Sequence, residues 1–203
     1  MKKKIIVALV GVVVIAAAAG GYFWWWKNIR LTPPKEWNTV TYTDAKDYIV
    51  TDTPNGKLVE NKKEGLSFIV PSNWVRTNKD TEGDAMFLSP DAKIKEGNQM
   101  LEQGCKIVAA VAKIKIDIDV LEQQLKEKFS WSSNENTIYE RVKIANYPTI
   151  RNSFDNSKLK VYFDNTHIIT SKALYEVVLE ASEQDKEKCK TIFETTLKTL
   201  TIK

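Results

Sequence analysis

Histidine is almost missing from this sequence: among 203 residues only His167 is one. Metal sites built from several histidines are excluded, and any Ser–His or Cys–His scheme has to run through that single ring. Glycine is sparse as well. Its eight copies are scattered, and no Gly-rich phosphate loop, nucleophile elbow or Cys-x-x-Cys pair occurs. Acidic residues are absent from the first thirty positions, where Lys2, Lys3, Lys4, Lys27 and Arg30 all lie. The formal charge of +4 therefore belongs to the N-terminus, since the remaining residues hold 25 basic against 26 acidic side chains. A soluble part with no basic excess lacks the electrostatic footprint of phosphate-backbone binding, and nucleic acid is set aside as a partner. No catalytic, cofactor-binding or metal-ligating set stands out, and none is assigned.

The first feature that is present is an uncharged run. Residues 5–26 contain no charged residue. As a helix rising about 1.5 Å per residue they span roughly 33 Å, enough for a hydrocarbon core of about 30 Å. The lysines at positions 2–4 outweigh Lys27 and Arg30, so the positive-inside bias leaves the N-terminus in the cytoplasm and exports the rest of the chain. Tyr22, Phe23, Trp24, Trp25 and Trp26 close the run with rings suited to a membrane interface. The expectation is a single-pass anchor over residues 1–26, held in the lipid bilayer by the span 5–26. A cleaved signal peptide is the alternative, with lysines 2–4, the apolar stretch 5–15 and the small residues 16–21 as its three regions, giving a secreted protein. Both readings place the remainder outside the cytoplasm. The absence of cysteine from the first hundred residues excludes a lipid-modified N-terminal cysteine, and the lack of an acidic residue in the apolar run argues against a pilin-type subunit.

Beyond the anchor, 43% hydrophobic and 28% charged residues describe one globular core. Residues 27–47, with Pro33-Pro34 and no sustained period, read as a stalk. The domain is expected over 48–203, opening with a hairpin at 48–60 around Pro54-Asn55-Gly56. Strands are expected at 66–70, 85–89, 137–145, 149–154, 158–163 and 174–181. A long central strand is expected at 106–116, apolar on both faces and alternating only at its end. A helix with Asp119 as N-cap and Glu122 at its third position carries Leu121, Leu125 and Phe129 on one face. A last helix begins at Ser182 and Asp185, with Cys189, Phe193, Leu197 and Leu200 as its apolar stripe. The fold class is α+β: an antiparallel sheet packed by one mid-chain and one C-terminal helix.

The stretch Gly65-Leu66-Ser67-Phe68-Ile69-Val70-Pro71-Ser72-Asn73-Trp74 resembles the opening of PsbP-like domains, where a strand ending in Pro and Trp begins the sheet. Position 70 is Val where that family usually carries an aromatic. The resemblance implies an antiparallel sheet, a helix crossing over midway and a C-terminal helix packing back, over residues 61–203. It implies neither a photosystem role nor an ion site for this chain.

Candidate functional residues are few. Cys105 and Cys189 form an even pair, which outside the cytoplasm reads either as a disulfide or as two buried thiols. Trp74, Trp131 and Tyr147 are the aromatics that could line a ligand groove or pack in the core. His167 lies in Asn165-Thr166-His167-Ile168-Ile169, which reads as a turn leading into a short apolar stretch, with the ring hydrogen-bonded at an edge. Asp117 and Asp119 could chelate a hard cation only if the strand continued through them. The sequence thus points to a membrane-tethered extracytoplasmic binding or interaction module with a protein partner in the envelope. An envelope hydrolase dependent on His167 and a structural subunit contacting partners through its Trp-rich helix are the other readings.

Overall fold

The computed structural model describes residues 20–26, 40–77, 83–95, 100–129 and 136–203. Most of the expected span, the stalk residues 27–39 and Trp131 lie outside the described residues. Residues 20–25 are helical, with Tyr22, Phe23, Trp24 and Trp25 exposed. No helix among the described residues is long and apolar enough to cross a membrane.

The first strands are β1 (Tyr48–Thr53), β2 (Gly56–Asn61), β3 (Leu66–Val70), β4 (Val75–Arg76) and β5 (Asp84–Leu88). Then come β6 (Lys93–Ile94), β7 (Leu101–Gln103), β8 (Cys105–Ala112) and helix α1 (Ile118–Phe129). The chain closes with β9 (Ile138–Ile144), β10 (Tyr147–Asn156), β11 (Val161–Ile169), β12 (Leu174–Ser182), helix α2 (Lys186–Lys198) and β13 (Thr201–Ile202). The strands make two antiparallel sheets rather than the single one expected. A seven-stranded sheet has the order β4-β5-β8-β12-β11-β10-β9 and a four-stranded sheet the order β1-β2-β3-β13, with β6 and β7 as a separate hairpin. The second sheet is closed by β13, which pairs with β3 just after α2 ends, so Leu200 is buried beyond the helix rather than on it.

Alternation along β8 decides the layering. Ile107, Ala109 and Val111 are fully buried on one face, against Val177 and Leu179 of β12, Cys189 and Phe193 of α2, and Val59, Phe68 and Val70 of the smaller sheet. Phe68 meets Phe87 edge-on at 6.2 Å between ring centres, an arrangement that aromatic quadrupoles favour. On the opposite face α1 seals one end with Val120, Leu121 and Leu125 over Ala112, Ile150, Ile169 and Leu174. The β6–β7 hairpin seals the other, its Leu101 N–H donating to the Glu180 carboxylate at 2.6 Å. Between the two seals Val108, Ala110 and Val178 are only half-buried. The central strand is thus not covered throughout, as its two apolar faces had led one to expect.

Four other expectations are corrected. The strand expected to 116 stops at Ala112, because Ile114 and Ile116 leave the ladder and turn into the α1 core. The stalk ends before residue 40: Tyr42 bridges to Ala112, Thr43 is 2% exposed, and residues 40–47 belong to the folded domain. Residues 145 and 146, the former expected inside a strand, are instead a two-residue turn with φ of 49° and 69°, the geometry that matches the twist of a tight hairpin. The cap of α1 is Asp117, not Asp119: its carboxylate accepts from Asp119 N–H at 2.9 Å and its carbonyl takes the first helical bond, from Leu121 N–H at 2.9 Å. Glu122 is therefore free of the reciprocal capping role and reaches Arg141 and Lys126. Asp117→Ala is expected to destabilise the domain by about 1 kcal/mol in urea titration, whereas Asp119→Ala, which leaves the cap intact, costs less.

The spacing of Ser182 and Asp185 marks the start of α2, with different bonds. The Ser182 hydroxyl donates to the Asp185 carboxylate at 2.6 Å, and the same carboxylate accepts the Gly104 N–H at 2.8 Å. The helix start is thereby fixed to the turn between β7 and β8.

Candidate functional site

Register assembles the site. Asp84 of β5 stands opposite Ala110 of β8, and Ala110 opposite Glu176 of β12. Glu176 in turn stands opposite His167 of β11. Directly opposed residues share a face, so Asp84, Ala110, Glu176 and His167 form one row across the sheet. The neighbouring row runs Met86, Val108, Val178, Asn165 and Asn152. With strands about 4.8 Å apart, the Asp84 and Glu176 backbones lie about 10 Å apart with only a methyl group between them.

This is the stretch that neither α1 nor the hairpin covers, and it forms a trough of about 250 Å³ floored by Val108, Ala110 and Val178. Its walls are Asp84, Glu176, Gly83 and Tyr42. Residues 41–43 run on from the line of β5 along β8, held by Thr43 N–H to Val111 O at 3.0 Å and Lys113 N–H to Thr41 O at 2.9 Å. Gly83 makes the junction possible: its φ is +92°, and a Cβ there would sit 2.3 Å from Cβ of Tyr42. Burial, and then the Glu176 carboxylate, push the Tyr42 phenol above its ordinary value and keep it a neutral donor.

Beneath the wall lies a buried polar chain. His167, 5% exposed, places Nδ1 at 3.0 Å from Glu176 Oε1 and Nε2 at 3.1 Å from Asn152 Oδ1. An ionised carboxylate only accepts, so Nδ1 donates. The Asn152 amide can meet the other nitrogen in two ways related by a half-turn: Nδ2 donates to a neutral ring, or Oδ1 accepts from a doubly protonated one. Asn152 is fully buried, and its Nδ2 has no hydrogen-bond partner. Both ring nitrogens are thus engaged and shielded. Among the described residues no hydroxyl or thiol is bonded to the ring. The arrangement suits recognition through Glu176, Asp84 and Tyr42 over an apolar floor.

The expected site residues are dispersed. Cys105 and Cys189 are joined, with Cα atoms 5.6 Å apart and both side chains fully buried, tying β8 to α2. Trp74 is 2% exposed in the main core and offers no ring face to a ligand. Tyr147 is half-buried against the same core at the start of β10, and Trp131 lies outside the described residues. Asp119 is paired with Arg141 and Asp117 caps α1, so neither carboxylate is left to share a cation. His167 is in mid-strand rather than in a turn.

Asn152, Asp164, Arg151 and Glu176 were not recognised from sequence. On the other face of the sheet Arg151 bridges Asp164 at 2.6 Å and Glu194 of α2 at 2.7 Å. Burial raises the Asp164 carboxyl above its ordinary value, with Arg151 opposing. The polar run at 165–167 reads as a turn because the partners of His167, Glu176 and Asn152, come from other strands.

No family profile matches the chain, and no curated protein matches it. It is similar to several solved structures. Cyanobacterial PsbP (CyanoP) from Synechocystis is 12% identical with a TM-score of 0.47, over 81% of this chain and 92% of that one. A point mutant of Mog1 is 9% identical with a TM-score of 0.47, over 73% and 96%. LpqN of Mycobacterium tuberculosis, described as involved in cell envelope biogenesis, is 14% identical with a TM-score of 0.44, over 82% and 93%. A protein from Bacteroides thetaiotaomicron is 19% identical with a TM-score of 0.44, and there the chain spans 45% of the other's length.

Proposed function

We propose that this chain is a membrane-tethered extracytoplasmic binding module, and that its trough receives a cationic side chain from a protein partner in the envelope. The observation that carries the reading is the row Asp84, Ala110, Glu176: carboxylates on either side of a floor too small and apolar to fill the space. A lysine or arginine stem packs on Val108, Ala110 and Val178 while its head meets Glu176 and the Tyr42 hydroxyl. His167 and Asn152 hold Glu176 in place from below, as a second layer of hydrogen bonds orients a recognition group. Residues 5–26 supply the single-pass tether, with the N-terminus cytoplasmic. The buried Cys105–Cys189 bond is of the kind that persists in oxidising compartments.

A photo-crosslinker at position 178, in the full chain expressed in native membranes, tests this. The expected result is a discrete crosslinked partner whose yield falls about tenfold or more in Glu176→Gln, the loss expected when a charge-assisted hydrogen bond of roughly 1.5–3 kcal/mol is removed. Tyr42→Phe is expected to weaken it less. Crosslinking indifferent to Glu176→Gln sinks the trough as the binding site, and recovery of partners only from the cytosol sinks the topology.

A further inference from the structure

We infer that the end of the domain where the N-terminal segment joins it is a surface for anionic lipid headgroups, which deepens the tethering reading and rests on it. The surface is assembled from distant parts of the chain. Lys62 and Lys63 lie in the turn after β2, Lys172 in the turn before β12, and Lys203 beside β3, all four exposed around a cleft of about 410 Å³. Two contacts fix the cleft. The Tyr175 hydroxyl donates to Glu64 O at 2.7 Å, pulling the β2–β3 turn onto β12. Gly65, at φ +73°, lets the Lys203 backbone approach to where a Cβ would stand 2.5 Å from its carbonyl oxygen.

The charge balance there favours an anion. Glu64 is paired with Lys113 at 3.3 Å, and Asp47 with Lys63 at 3.2 Å. Glu60 is the other side-chain carboxylate lining the cleft, against Lys62 and Lys172, which form no ion pair among the described residues; the Lys203 ammonium is offset by the α-carboxylate of the same residue. The domain as a whole lacks a basic excess, so lysines gathered at one end give it a sided field.

Position identifies the partner. Asn61, which lines the cleft, donates to the Thr43 hydroxyl at 3.3 Å, and Lys113, at its rim, donates its N–H to Thr41. The chain therefore arrives from its N-terminal side at the margin of this cleft. Thirteen residues, 27–39, separate Trp26 from Val40, and fully extended they reach at most about 48 Å. A tether of that length lets this end of the domain reach the bilayer, and a surface of anionic lipid attracts each lysine that comes within about 8 Å of it by a factor of about five.

The test uses the full chain reconstituted in vesicles of phosphatidylcholine alone or with a third of phosphatidylglycerol, and a membrane-impermeant amine reagent read by mass spectrometry. Lys62 and Lys172 are expected to acylate at least fivefold more slowly in the anionic vesicles, with high salt restoring the rate and Lys190 as the unaffected control. Lys62→Glu with Lys172→Glu is expected to remove the slowing at Lys203. Equal rates in the two vesicles overturn the inference while leaving the tether in place, which is read separately as co-sedimentation with neutral vesicles. If that co-sedimentation fails, the tether falls, and binding to anionic vesicles that the double variant does not abolish overturns the inference too. Equal protection by inorganic phosphate with neutral vesicles overturns the lipid as the occupant.

Discussion

Replacing Cys105 and Cys189 together by alanine lowers the melting temperature of the domain by about 10–15 °C. The bond closes a loop with a sequence separation of 84, which on the chain-entropy model restricts the unfolded state by about 4.5 kcal/mol. For a domain of this size each kcal/mol moves the midpoint by about 2–4 °C. Both sulfurs are fully buried, so the variant also loses their packing, and the two effects act in the same direction. Calorimetry of the variant against the oxidised parent gives the shift, and intact mass under non-reducing conditions confirms that the parent is two hydrogen atoms short of the dithiol. A shift of only a few degrees would mean that the unfolded chain is held compact by something other than the bond.

Glu180→Ala is the single substitution with the largest expected cost, about 3–5 kcal/mol. Glu180 and Lys106 stand directly opposite on β12 and β8, form an ion pair, and are 3% and 6% exposed. Removing the carboxylate leaves an ammonium group buried without its counter-charge, and it also strands the Leu101 N–H that Glu180 accepts. The hairpin over that end of the sheet is then expected to loosen. Because two desolvated charges return little net energy, Lys106→Met with Glu180→Met is expected to recover most of the loss. Urea unfolding of the parent, Glu180→Met, Lys106→Met and the double variant in a double-mutant cycle measures the coupling. A double variant as unstable as Glu180→Ala would show that the pair, and not the relief of a lone charge, sets the stability of this region.

How far the sequence could be read depends on where each residue finds its partner. β8 was legible because apolar residues on consecutive positions leave a strand no alternative but the interior. The hairpin of β1 and β2 was legible from its turn, and α2 from a stripe at helical spacing. The limits are equally physical. Asn165-Thr166-His167 looks like a turn, since polar runs are usually solvated, yet all three are buried in β11. What makes the burial tolerable lies on β10 and β12, in Asn152 and Glu176, and a single sequence carries no record of cross-strand register. Asp117 and Asp119 illustrate the same limit locally. Either could cap α1, and the choice fell to Asp117 because Ile114 and Ile116 are drawn into the α1 core before the helix begins. Trp74 is the converse case: the strand stopped by Pro71 before it forms as expected, and its ring is spent on the core.

The pairing of residues 41–43 with β8 also sets a mechanical path through the molecule. A pull on the N-terminal segment is delivered first to the end of β8, through the bonds of Thr43 to Val111 and of Lys113 to Thr41, with the Thr43 hydroxyl also bonded to Asn61 of β2. β8 is clamped between β5 and β12 and is covalently tied to α2 by Cys105–Cys189. Tension entering at residue 40 is therefore spread over the widest sheet, while the trough wall at Tyr42, next to the loaded bonds, is among the first parts of the domain to feel it.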